Sequence, residues 1–124
     1  MTYDDSNIFA RMLRGEIPND TVAENAHALA FRDIRPQAPV HILVIPRGRY
    51  VSYDDFAANA SDDEIVGFNR LVAEVARAEG LSLADGGDGF RAITNAGAHG
   101  VQEVPHFHLH LLGGRPMGRM VSRD

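Results

Sequence analysis

The chain has 124 residues, and its 17 acidic and 12 basic side chains give a formal net charge of -5. That length suits one domain with a single core. The scattered arginines (Arg11, Arg14, Arg32, Arg35, Arg47, Arg49, Arg115, Arg119) lack the clustered stripe that long nucleic acid demands. The absence of cysteine excludes disulfides, thiolate nucleophiles and Cys-ligated zinc. With neither a signal-peptide apolar stretch nor a run near 18 apolar residues, a soluble cytoplasmic protein without a membrane partner is expected.

Ile8 to Leu13 carries apolar residues at helical spacings, with Ser6 or Asn7 as N-cap and Gly15 as stop, so a short amphipathic helix is predicted. Val22–Glu24 and His27–Arg32 alternate around Asn25-Ala26 and predict a hairpin, which leads into the proline-fixed loop Asp33 to Pro39. Val40-His41-Ile42-Leu43-Val44-Ile45 reads as a central strand covered on both faces and ended by Pro46. Ser61-Asp62-Asp63-Glu64 is a capping box, and Ile65, Phe68, Leu71, Val72 and Val75 share one face of a helix predicted over Ser61 to Glu79. Asp85 to Gly89 reads as a turn, Phe90 to Thr94 as a strand, and Asn95 to Gly100 as a glycine-containing loop. The tail from Gly113 shows no periodicity. The order predicts an α+β domain with a mostly antiparallel sheet and two helices covering one face.

His106-Phe107-His108-Leu109-His110-Leu111-Leu112 holds half of the six histidines at alternate positions. On a strand beginning near Pro105, residues two apart share a face, so the imidazoles form one row while Phe107, Leu109 and Leu111 turn inward. Imidazole is the side chain suited to act as base, acid or nucleophile near neutral pH. In a regular strand the row is about 13 Å long. Two neighbouring histidines can reach one metal ion and three cannot easily do so, so a mononuclear site would need one pair plus His41 or a carboxylate such as Glu103. The length better matches an extended phosphate chain, with His108 as attacking group and the glycine loop at Gly97 and Gly100 offering N–H donors.

Gln102-x-Val104-x-His106-x-His108-x-His110-Leu111-Leu112 closely resembles the signature of the histidine triad (HIT) nucleotide-binding hydrolases. Ile8-Phe9 with Gly15-Glu16-Ile17-Pro18, and Ala30 to Pro39 followed by His41-Ile42-Leu43-Val44-Ile45-Pro46, are similar to that family's N-terminal helix and nucleoside-binding strand-loop-strand. The similarity covers residues 7–116, leaves 113–124 as a flexible tail, and is greatest to the Hint-type nucleoside phosphoramidate hydrolases. It implies a five-stranded sheet joined with a second copy into a ten-stranded one in a homodimer. It also implies cleavage of AMP or GMP conjugates at the α-phosphate through a nucleotidyl-His108 intermediate, with neither cofactor nor metal. His106, His110 and His41 would complete the catalytic group. Asp33 would hold the ribose; Ile8, Phe9, Phe31, Ile34 and Leu43 would form the purine slot; Asn95, Val101, Gln102 and Glu103 would lie by the phosphate and ribose.

The chain departs from the family at several positions. Asn7 and Ala10 stand where many members carry zinc-binding cysteines, Glu103 stands where relatives carry Ser or Thr, and the tail lacks an aromatic residue. Three alternatives follow: a dinucleoside polyphosphate hydrolase, a nucleotide-binding interaction module with little catalysis, and a histidine-ligated metalloprotein.

Overall fold

A computed structural model describes residues 2–122; Met1 and the last tail positions, Arg123 and Asp124, lie outside the described residues. Helix α1 (Ile8–Leu13) is capped by Asn7, whose buried side chain accepts from the Ala10 amide at 2.9 Å, and the chain leaves it through Gly15 at φ +77°. Of the two expected caps it is therefore Asn7 that acts. The hairpin of β1 (Thr21–Glu24) and β2 (Ala28–Arg32) turns on Asn25, whose Oδ1 accepts from the amides of His27 and Ala28.

Strand β3 (Val40–Pro46) sits mid-sheet, with residues 41–46 all buried, as its apolar run predicts. Helix α3 (Asp62–Ala78) carries the complete capping box between Ser61 and Glu64. Strands β4 (Phe90–Ile93) and β5 (Leu109–Gly113) complete a five-stranded sheet in the order β1-β2-β3-β5-β4, with every pairing antiparallel.

Period-2 alternation divides the sheet into two faces. Ala28, Ala30, Ile42, Val44, Phe107 and Leu111 pack beneath α3 residues Phe68, Leu71 and Val75. Leu29, Phe31, Leu43 and Ile45 face the other way and gather around Phe9 of α1. Because α1 has only six residues, it covers part of that face and leaves the rest concave.

Four expectations are corrected. A further helix, α2 (Tyr53–Asn59), lies ahead of α3, so the described residues form three α-helices in place of two; Phe56 is the sole buried residue of α2, too little to create a periodic signal. The turn expected over Asp85 to Gly89 starts earlier, in a 3₁₀ turn at Leu83–Asp85 closed by Gly86 at φ +80°. Gly113 belongs to β5 and not to the tail, and Arg91 holds the tail by donating to the carbonyls of Gly118 and Arg119.

The fourth correction concerns the histidine run, which is not one strand. Strand β5 starts at Leu109; Val104 to His106 bend, and the amides of His106 and Phe107 go to the carbonyls of Val104 and Tyr50 instead of a ladder. A local bond to Val104 takes the first donor and the Tyr50 carbonyl takes the second, so Pro105 begins no strand. Among the described residues no helix is long and apolar enough to cross a membrane.

Candidate active site

A cavity of about 510 Å³ opens on the face that α1 leaves bare. Its floor is buried Phe9, Phe31 and Leu43; the Asp33 loop forms one wall, and Asn95, Val101 and Glu103 form the other. His41, His108 and His110 stand between these walls. Register brings them together: Leu43 of β3 pairs with His110 of β5, so His41, two residues back on β3, projects beside it. Although His108 precedes the ladder, the side-to-side alternation persists. Phe107 and Leu111 enter the core below, and the His108 and His110 rings lie 5.1 Å apart above.

Hydrogen bonds assign different tautomers to these rings. Nδ1 of His108 lies 2.7 Å from the His106 carbonyl oxygen, which can only accept, so Nδ1 carries the proton and Nε2 keeps its lone pair. For His41 the order is reversed. The Gln37 backbone N–H donates to His41 Nδ1 at 3.0 Å, which puts the ring's proton on Nε2. That Nε2–H meets His110 Nδ1 at 2.9 Å, with Asp33 Oδ2 further off at 3.4 Å. His110 Nδ1 must then accept, and His110 carries its own proton on Nε2. The cavity therefore holds one imidazole with a free lone pair, His108, beside one with a free N–H, His110.

This assignment requires neutral rings, and the surroundings supply that condition. Burial pushes all four imidazoles, those of His41, His106, His108 and His110, below the ordinary histidine value. His110 falls to about 4 through burial and then the neighbouring His108 and His41, partly opposed by Asp33. His106 also falls to about 4, again chiefly through burial.

Comparison with known proteins follows the same lines. The HIT domain model matches residues 14–117. The chain belongs to the HIT family. It is 42% identical over 119 residues, 95% of each chain, to the purine nucleoside phosphoramidase of Escherichia coli strain K12. It is 53% identical over 122 residues to an uncharacterized 13.2 kDa HIT-like protein of Azospirillum brasilense, covering 98% of this chain and 97% of that one. A solved HIT family hydrolase from Legionella pneumophila superposes with a TM-score of 0.73 at 43% identity, covering 89% of this chain and 94% of the other.

Within this HIT domain, twelve of the fourteen expected site residues line the cavity: Ile8, Phe9, Phe31, Asp33, Ile34, His41, Leu43, Asn95, Val101, Glu103, His108 and His110. The first histidine of the row and the glutamine before it do not. His106 is 0% exposed, with Nε2 against the Pro46 carbonyl and Nδ1 against the Tyr3 hydroxyl, so neither nitrogen is open to a ligand. The side chain of Gln102 is also spent internally, accepting from the Gly97 amide and donating to the carbonyls of Val51 and Val104. The bend lies at 104–106 and holds His106 out of the cavity, while Gln102 is held by its own hydrogen bonds.

Several of the residues lining the HIT cavity have two jobs. Asp33 Oδ1 accepts from the Arg35 amide and fixes the loop, while Oδ2 faces His41. Asn95 donates to the Gly100 carbonyl and closes its own loop. Ile34, 89% exposed, stands on the rim and not in a slot. Arg115 donates to the Gln37 carbonyl instead of reaching the cavity.

Two contributors escaped the sequence reading. Gln37 acts through its backbone amide, for which no residue type is diagnostic, and Tyr3 lies before the first predicted element.

The metal reading can be tested on donor chemistry. Donor atoms of Asp33, His41 and His110 all lie within 4.8 Å of one another. A ligating nitrogen must offer a lone pair. The Gln37 amide has already placed a proton on His41 Nε2, so the set lacks one of the donors a three-ligand centre needs.

Proposed function

We propose that this HIT protein hydrolyses purine nucleoside phosphoramidates at the α-phosphorus through a nucleotidyl-His108 intermediate. The observation that carries this reading is the pairing of opposite tautomers, the His108 Nε2 lone pair beside the His110 Nε2–H. A neutral imidazole lone pair attacks phosphorus, and an N–H in the same cavity meets the negative charge that builds on a phosphoryl oxygen.

In the first step the His108 Nε2–P bond forms and the P–N bond to the amine breaks, the amine leaving with a proton taken from water; the hydroxide so formed is neutralised by the proton released in the second step. The ring becomes a cationic N-phosphoryl imidazole whose Nδ1–H still rests on the His106 carbonyl. Water then attacks phosphorus, His108 leaves as the neutral ring, and a nucleoside monophosphate departs with release of the proton. Asp33 is assigned to the ribose hydroxyls, and Phe9, Phe31 and Leu43 to the base, on the strength of their places in the cavity wall and floor.

Glu103 favours an amine over a phosphate as leaving group. It is an exposed carboxylate on the cavity wall, and its charge opposes a polyphosphate while accommodating a neutral or cationic amine. A purely structural nucleotide module has no use for two adjacent rings in opposite tautomers. The homodimer belongs to this proposal as well: β4 is an open edge strand with Phe90 43% exposed, and pairing two such edges gives a ten-stranded sheet. We assign its site of action to the cytoplasm, in keeping with a chain free of cysteine.

The test is to trap the adduct with a slowly hydrolysed adenosine phosphoramidate and digest it. A nucleotidyl mass on the peptide spanning 101–112 is expected, and its loss in His108→Ala along with turnover. Wild-type turnover in that variant would end this reading.

A further inference from the structure

We propose that Tyr3 is a positioning residue for this reaction, locking the His106 ring so that the His106 carbonyl holds His108 in its nucleophilic tautomer. The inference rests on the function proposed above.

The Pro46 carbonyl only accepts, so His106 Nε2 at 2.9 Å carries the proton and Nδ1 keeps a lone pair inside a fully buried ring. Among the described residues the Tyr3 hydroxyl, at 2.5 Å, is the group that meets that lone pair. Burial raises the phenol above its ordinary value, which keeps it a donor at neutral pH. A half-turn of the imidazole would strand Nδ1 and break the Pro46 contact, so the two bonds together select one ring orientation. Selection matters because the same residue's carbonyl sits 2.7 Å from His108 Nδ1 and determines which of that ring's nitrogens is free.

Tyr3 is itself held in place. Its ring meets the His106 ring edge-on at 5.6 Å and lies under the Arg49 guanidinium at 5.1 Å, and Arg49 forms a two-pronged pair with Asp5. Asn7 ties the segment down again through the Asp4 carbonyl before capping α1. The N-terminal segment is thus a strap across the His106 end of the histidine row.

The experiment pairs Tyr3→Phe, which keeps the ring and deletes the hydroxyl, with Arg49→Gln, which keeps the hydroxyl and loosens the clamp. Steady-state kinetics on an adenosine phosphoramidate and ¹⁵N imidazole NMR are read for both. Tyr3→Phe is expected to lower kcat about threefold to tenfold, the loss of one hydrogen bond, with KM unchanged. The His106 Nδ1 and His108 resonances shift together, and Arg49→Gln gives a smaller change of the same kind. Unchanged kcat and His108 tautomer in both variants, with or without a fall in thermal stability, overturns the positioning role. In that case His108→Ala still abolishes turnover, so failure of this inference is separable from failure of the proposed mechanism.

Discussion

The backbone amide of Gln37 donates to Nδ1 of His41, and by doing so determines where the proton sits on a ring it never touches. His41 must present Nε2–H to His110, and His110 must present its own Nε2–H to the cavity. One peptide group on a surface loop thereby makes His110 a donor.

His41→Ala should therefore reduce kcat by about tenfold, the cost of one well-formed buried hydrogen bond, while KM changes little because His41 lies one ring removed from the phosphate. The ¹⁵N spectrum of the variant should show His110 redistributed between its two tautomers. Equal kcat with an unaltered His110 spectrum would separate His41 from the relay.

Acid should destabilise the fold through these rings. His106 and His110 sit at about 4 when folded against about 6.5 in an unfolded chain, so between these values the unfolded state binds more protons. This contribution is complete above pH 6.5 and is lost progressively as pH falls towards 4, by up to about 3 kcal/mol for the sealed His106 ring and by less for the partly exposed His110. Urea titrations at pH 7 and pH 4.5 measure this, and His110→Asn should show a smaller difference than the wild type.

Val101 occupies the left-handed region at φ +57° with 73% of its surface exposed, so a β-branched residue bears backbone strain without a packing reward. Val101→Gly should raise stability by about 0.5–1 kcal/mol, strain relief offset in part by the entropy of glycine. Thermal melts check the sign; a fall would mean that the side chain contributes packing.

Glu103→Ser removes the carboxylate from the cavity wall. The ratio of kcat/KM for a dinucleoside polyphosphate to that for an amine-leaving phosphoramidate should rise by about twofold to fivefold, the size of one solvent-screened charge contact. An unchanged ratio would free Glu103 from any part in leaving-group choice.

Where the chain carried strong local signals, its elements were legible. The capping box at Ser61, the apolar run of β3, the Asn25 turn and the Asn7 cap each depend on residues close in sequence. Helix α2 was not legible, because a single buried Phe56 leaves no period to detect. The strand start at Leu109 was not legible either. Alternating histidines look the same whether their backbone amides bond to a neighbouring strand or to a loop residue such as Tyr50.

The sequence by itself determined that three imidazoles would project from the side of the chain opposite Phe107 and Leu111, because extended backbone alternates with or without a ladder. It determined the HIT resemblance and twelve of the residues that line the cavity. Only the tertiary structure decided what each ring can do. His106 is sealed between Pro46 and Tyr3, His108 is tautomerised by a carbonyl on a bend, and His110 is tautomerised through His41 from Gln37. Protonation follows from hydrogen-bond partners, and for His106, His41 and His110 most of those partners lie elsewhere in the chain and reach the rings only through folding.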